Sequence, residues 1–176
     1  IGVLPDAPQS FGNFLRIRIF DKVPFKNVYY LNGHATDLEE ECTRYTSLLS
    51  QFPTDIVCLG IGENGHIAFN DPDVANFNDH KLVKIVKLDH VCRQQQVNEK
   101  CFETLEQVPT EALTLTIPAL LKAKWMFCIV PFKNKSQAVY RTIHGDISEK
   151  CPASILRRKE KSSLYLDTES AQLLNL

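Results

Sequence analysis

The segment "LGIGENGHIAFNDPD", Leu59 to Asp73, gathers Gly60, Gly62, Gly65, His66, two asparagines and the carboxylates of Glu63, Asp71 and Asp73 directly after an apolar run. Two chemistries compete for it. The spacing Gly60-x-Gly62-x-x-Gly65 is that of a dinucleotide-binding turn, in which the third glycine opens a helix and an acidic residue ends the next strand. Here Gly65 leads instead into "HIAFNDP", where Asn-Asp-Pro forms a turn and Pro72 disfavours helical geometry at Asp71. The nucleotide reading thus loses its context. The other chemistry is acid–base. Glycines let the backbone approach a small ligand, a histidine exchanges protons near neutrality, and a carboxylate on one ring nitrogen fixes which nitrogen faces the substrate. His66 and Asp71, five residues apart across the turn, are candidates for that pair. A structural role, with His66 satisfying turn carbonyls and Asp71 capping the turn, fits the same residues.

The elements that must position this segment read as alternating strands and helices. "DIVCLGI", Asp55 to Ile61, is a continuous apolar run entering a glycine turn, the pattern of a central parallel strand buried on both faces. Ligands of open parallel sheets collect at the carboxyl ends of such strands. Further strands are predicted at Lys26–Leu31, Lys81–Leu88 (alternating basic and apolar), Ala112–Ile117 (stopping at Pro118), Trp125–Val130 and Ser162–Asp167, the last followed by a short helix. Helices are predicted over Gln9–Phe20 with Ser10 as N-cap, from the capping box Thr36-Asp37-Leu38-Glu39 to just before Pro53, for one or two turns from Pro118, and over Ser136–Ile143 closed by Gly145. The expected fold is α/β, a Rossmann-like three-layer αβα arrangement around a largely parallel sheet, in a single domain spanning residues 1–176.

Composition narrows the function classes. The chain of 176 residues is 44% hydrophobic, and its 20 basic and 21 acidic residues leave a formal net charge of -1. That balance gives no electrostatic reason to expect nucleic acid or an anionic membrane as the main partner. The six cysteines form no C-x-x-C pair, and Cys58 and Cys128 lie inside apolar runs, as reduced thiols of a cytoplasmic protein do. No apolar run reaches the length of a membrane span, and the first residues given lack a basic region followed by a hydrophobic stretch, so an unexported protein is expected. The start, "IGVLPDAPQSF", lacks an initiator methionine and reads as loop, which suggests a fragment or a processed product.

"GIGENGHIAFNDP" closely resembles the signature segment of the glucosamine-6-phosphate deaminases, also called glucosamine-6-phosphate isomerases, where a glycine-rich strand end runs into Gly-His-Ile-Ala-Phe-Asn-acid-Pro. Related 6-phosphogluconolactonases share the Gly-His and then diverge. "LPDAPQSFGNFL", "YYLNGHATDLEEECTRY", "ALTLTIPALLKAK" and "PFKNKSQAVYRTIHG" are similar to further segments of the family, so the resemblance spans the chain.

The resemblance implies conversion of glucosamine 6-phosphate to fructose 6-phosphate and ammonia in amino sugar catabolism, with a sugar phosphate as the only small-molecule partner, no metal or organic cofactor, and a homo-oligomeric enzyme. By position His66 resembles the histidine that opens the sugar ring. Asp71 stands where the family usually has glutamate, and Asn64 where better-known members have aspartate. An amide cannot transfer a proton, although it can orient His66 by hydrogen bonding, and neighbouring Glu63 is a candidate to compensate. Gly60 and Gly62 resemble positions whose backbone lies along the sugar. Lys135 resembles the phosphate lysine, placed where a helix start also favours an anion. Many members of the family also carry an arginine for the phosphate, and the comparable stretch "DHVCRQQQVNEKCF" offers Arg93 and Asn98.

In the family, the base that removes the C2 proton and a Gly/Thr-rich phosphate loop precede the segment corresponding to Ile1. The chain is therefore expected to be the C-terminal portion of a longer enzyme and inactive by itself. A sugar-phosphate lactonase using His66 with hydrolytic water is the alternative enzyme, and a sugar-phosphate-binding regulator, suggested by Asn64, is the alternative without catalysis. A related substrate such as galactosamine 6-phosphate would require altered contacts at one hydroxyl.

Overall fold

In the computed structural model, which describes residues 1–175, three parallel strands make the main sheet: β1 (Ile56–Leu59), β4 (Trp125–Val130) and β5 (Ser162–Leu166), in the order β1-β4-β5. Strands β2 (Val83–Lys87) and β3 (Glu111–Leu115) pair antiparallel in a second, two-stranded sheet, with Ile85 opposite Leu113. The α/β class with a parallel sheet is as expected.

The main sheet is apolar on both faces but packed on one. On the inner face Met126, Cys128 and Val130 are at most 1% exposed. They pack with Ile61, Ile67 and Val139 under helix α5 (Ser136–His144) and a 3-10 helix over Pro152–Arg158. The outer face exposes Ile56, Trp125, Ile129 and Tyr165, each 45% or more. The expectation that "DIVCLGI" is a central strand buried on both faces is thereby corrected: among the described residues β1 is an edge strand with alternate side chains exposed. The apolar run fixed its strand character, because branched side chains suit a pleated surface, but did not fix its place in the sheet.

The N-terminal third departs most from expectation. Ser10 does cap a helix, α1 (Phe11–Leu15), which continues as a π-helical turn over Arg16–Phe20. The aromatic run Lys26–Leu31 forms no strand. Its backbone carbonyls are claimed instead by side chains of α2 (Leu38–Gln51): Arg44 Nη2 donates to Tyr30 O at 2.8 Å and Tyr45 Oη to Tyr29 O at 3.3 Å. Asp37 rather than Thr36 caps α2, its Oδ1 accepting the Glu39 and Glu40 amides at 2.9 Å. The short helix predicted after β5 is a run of turns pinned by Asp167, whose Oδ1 accepts the Ser170 amide at 2.7 Å. Leu176 lies outside the described residues.

Two short helices complete the frame. Thr116, the expected strand's penultimate residue, caps α4 (Ile117–Leu121), its Oγ1 accepting the Ala119 amide at 3.2 Å. Helix α3 (His90–Asn98) begins at Asp89, which accepts the Cys92 amide at 2.6 Å, and was not anticipated. Its sequence "HVCRQQQVN" is too polar to show a helical stripe. No helix of the described residues is long and apolar enough to cross a membrane.

Candidate active site

Because β1 and β4 are parallel neighbours, with Leu59 in register with Cys128, the loops that follow them emerge side by side at one end of the sheet. That end is where open α/β sheets hold ligands. The glycine loop after β1 and the 3-10 turn Lys133–Lys135 after β4 therefore meet. They are bonded: Asn134 Nδ2 donates to Glu63 Oε1 at 2.7 Å.

Within the loop the glycines make room for the histidine. A Cβ on Gly62 would fall 2.2 to 2.4 Å from three atoms of the His66 ring, so the imidazole lies directly against the Gly62 backbone. The Gly62 amide closes the loop by donating to His66 O at 3.0 Å. Gly65 has φ +92, and a Cβ there would also crowd Cys151 Sγ at 2.8 Å. Substitution at Gly65 is thus strained twice, by dihedral and by space. Gly60 lies at the strand end, where a Cβ would touch only Ile129 O at 3.4 Å.

His66 Nδ1 lies 2.8 Å from Asp71 Oδ1, with the His66 side chain 12% exposed and Asp71 fully buried. The approach is close in distance but off the line of a ring N–H bond. Asp71 has other partners. Asn64 Nδ2 donates to Asp71 Oδ1 at 2.9 Å, and the Asp89 amide donates to Oδ2 at 3.3 Å. Burial alone would push the Asp71 carboxyl up; the His66 ring, the Asn64 amide and the Asp89 amide outweigh it and hold the carboxyl below the ordinary aspartate range. The site is thus built for a carboxylate that stays ionised next to the imidazole. His66 Nε2 has no hydrogen-bond partner among the described residues and is the ring nitrogen left for a ligand.

Asn64 fills the position expected of a proton-transferring acid with a different task. Its Oδ1 accepts the His66 amide at 3.0 Å, and its Nδ2 bridges Asp71 and Asp89. Glu63 does not take over that vacancy: its carboxylate is held by Asn134 and its backbone amide donates to Gln95 Oε1 at 3.2 Å, facing the lysine turn. Lys135 is 7% exposed, unlike a solvated surface lysine, and its Nζ meets Glu99 Oε1 at 3.5 Å. It immediately precedes α5, whose first-turn amides favour an anion.

Of the two residues considered for the phosphate, Arg93 has one terminal nitrogen engaged and Asn98 its side-chain oxygen. Arg93 Nη2 donates to the carbonyls of Leu105 and Val108 at 2.6 and 3.1 Å, tying down the chain after α3. Asn98 Oδ1 accepts from Gln94. Sequence reasoning also missed residues that matter. Asp89, Cys92, Gln95 and Glu99 recur at three- and four-residue intervals along one face of α3 and its cap, touching in turn Asn64, Asp71, Glu63 and Lys135. The Asp89 cap, an acid three residues before an amide it can reach, was the available signal.

His66, Asp71 and Cys92 are also metal-ligand types, and their ligating atoms lie within 4.8 Å of one another. Both Asp71 oxygens, however, already accept N–H donors, from Asn64 and from the Asp89 amide. The donor set fits a hydrogen-bonded cluster better than a cation. A separate cavity of about 810 Å³, lined by Phe11, Tyr30, Phe69 and Leu113 among others, lies between the N-terminal segment and the β2–β3 pair, and neither His66, Asp71 nor Lys135 lines it.

A family profile described as glucosamine-6-phosphate isomerases/6-phosphogluconolactonase matches residues 2–165. A glucosamine-6-phosphate deaminase of Bacillus cereus is 42% identical over 165 residues, covering 94% of this chain and 61% of that protein, so the chain spans less than two thirds of this relative's length. The solved structure of a monomeric glucosamine-6-phosphate deaminase superimposes with a TM-score of 0.90 at 35% identity, over 98% of this chain and 70% of the other. A 6-phosphogluconolactonase from Trypanosoma cruzi shares the fold, with a TM-score of 0.72 at 18% identity over 99% and 69% of the two chains.

Proposed function

Because the chain belongs to the glucosamine-6-phosphate isomerase/6-phosphogluconolactonase family, we propose that it supplies the acid–base and phosphate-holding part of an amino sugar phosphate isomerase and deaminase, converting glucosamine 6-phosphate to fructose 6-phosphate and ammonia. The carrying observation is the buried Asp71 set 2.8 Å from His66 Nδ1, in a loop bonded through Glu63 to the turn that carries the buried Lys135. In this reading His66 Nε2 exchanges a proton with the sugar ring oxygen, Asp71 holds the imidazole in place and stabilises its charged form, and Lys135 with the first turn of α5 holds the phosphate.

None of the three carboxylates around His66 is proposed as the base for the C2 proton. Asp71 is buried beneath His66, Asp89 is committed to Asn64 and the cap of α3, and Glu63 to Asn134. Residues 1–176 by themselves are proposed to release no ammonia on the strength of the family resemblance, which implies a C2 base in a segment outside them. The cytoplasm, where six free thiols persist, is the proposed compartment. The homo-oligomer expected from the resemblance stands as a proposal beside a relative described as monomeric, and light scattering decides it.

The test is ammonia release from glucosamine 6-phosphate by the protein that carries this chain. Release of ammonia with fructose 6-phosphate is the expected result. Lactone hydrolysis without ammonia would point to the hydrolase instead, and tight sugar-phosphate binding without turnover to the regulator.

A further inference from the structure

We infer that Asp89, acting through the side-chain amide of Asn64, is a positioning residue for the His66–Asp71 pair, and that position 64 carries an amide because one nitrogen there must donate to two carboxylates at once. This rests on the proposed acid–base role of His66.

The geometry is specific. Asn64 Nδ2 has two hydrogens and spends both inside the cluster, on Asp71 Oδ1 at 2.9 Å and Asp89 Oδ2 at 2.8 Å, while its Oδ1 takes the His66 amide at 3.0 Å. A single planar group therefore touches the histidine's backbone, the carboxylate beside its ring, and a second carboxylate from α3. Asp89 is fixed independently of Asn64: its Oδ1 caps Cys92 at 2.6 Å and its own amide donates to Asp71 Oδ2 at 3.3 Å. Asp89 thus approaches Asp71 by two routes and orients the Asn64 amide plane so that its other hydrogen points at Asp71. The groups facing Asp71 are His66 and Asn64 from its own loop, and Asp89 and Cys92 from the start of α3.

An aspartate at position 64 could not serve in this arrangement without a proton. Three carboxylates would converge on one buried point, and one of them would have to stay protonated to donate in place of the amide. It could then donate one hydrogen bond, where Asn64 donates two.

Three variants of the full protein test this. Asp89→Ser keeps a helix-capping hydroxyl but is too short to meet Asn64, and Asp89→Asn keeps the cap while presenting a donor to the Asn64 donor. Both are expected to lower kcat for deamination by roughly 10- to 100-fold, as sub-ångström misplacement of a reacting group does, with KM for the sugar phosphate unchanged. Asn64→Asp is expected to keep activity at acid pH, where the new carboxyl carries the proton, and to lose it as pH rises and that proton leaves. Carboxyl carbon NMR titration of Asp71 needs no turnover: loss of the Asp89 charge acts on Asp71 whether or not Asn64 is present, so each Asp89 substitution is also made in an Asn64→Ala background, and its effect on the Asp71 titration is expected to differ between the two backgrounds. Equal effects in the two backgrounds, or a pH profile of Asn64→Asp that superimposes on the parent's, would overturn the inference. A parent that releases no ammonia would sink the proposed function alone, because the titration still decides the positioning role.

Discussion

At the acid–base end of the site, His66, Asp71, Asn64 and Asp89 are joined by contacts of 2.8 to 3.3 Å around a fully buried carboxylate. At the other end a buried lysine has one charged partner, Glu99, at 3.5 Å, and the glutamate side chain is 43% exposed. The difference is what the two proposed tasks would require. A group that moves protons must be held within a small range of geometries, so each of its neighbours is itself tied down. A group that holds a phosphate must first release what it holds, and a long contact to a half-exposed carboxylate is weak enough to exchange.

Substitutions should separate the two ends. His66→Asn is expected to have the largest effect, lowering kcat by about 10²- to 10⁴-fold with little change in KM, measured by steady-state ammonia release. Lys135→Met should do the reverse, raising KM for the sugar phosphate by roughly 10- to 100-fold, the loss of a charge-assisted hydrogen bond, with kcat largely retained. If both variants altered the same constant, the division between the two ends would fail.

Gly62→Ala sharpens the comparison by attacking the acid–base end through packing alone. Its Cβ would collide with the His66 ring, so thermal unfolding should reveal a loss of about 1–3 kcal/mol and kcat should fall with KM preserved. Asp71 adds a pH signature. Because its carboxyl titrates lower in the folded protein than in the unfolded chain, it contributes stability above the ordinary aspartate value of about 4. That contribution is lost as pH falls through the depressed folded value. Asp71→Asn should therefore flatten the acid limb of a stability-against-pH curve. The smallest effect is expected far from both ends: Asp37→Ala removes the α2 cap, costing about 1 kcal/mol in thermal unfolding and leaving kcat and KM unchanged.

How much of this could be read in the sequence depended on whether the determining contacts were local. The pairing of His66 with Asp71 spans five residues and one turn, and its types and spacing announced it. The place of Lys135 between a strand and a helix start was legible, but its burial was not, since a lysine beside Lys133 reads as a solvated one. Helix α3 was invisible because its residues contribute polar contacts to loops far along the chain, and no apolar stripe marks it. Lys26–Leu31 misled for a related reason: its β-favouring side chains are real, but Arg44 and Tyr45 from α2 take the carbonyls that a strand partner would have used. Arg93 looked like an anion-binding cation in sequence, and the structure shows two backbone carbonyls holding its Nη2. The apolar strands of the main sheet were evident; which of their faces is covered was not, since hydropathy records what a side chain prefers and says nothing of what lies opposite it.

The central claim is that His66, held by a buried ionised Asp71, performs the ring-opening proton exchange of an amino sugar phosphate deaminase. Its most direct test is ammonia release from glucosamine 6-phosphate by the protein carrying this chain, measured alongside its His66→Asn variant at saturating substrate. The account predicts release by the parent and loss of nearly all of it in the variant, with sugar-phosphate binding intact in both. Equal rates in the two proteins would contradict it.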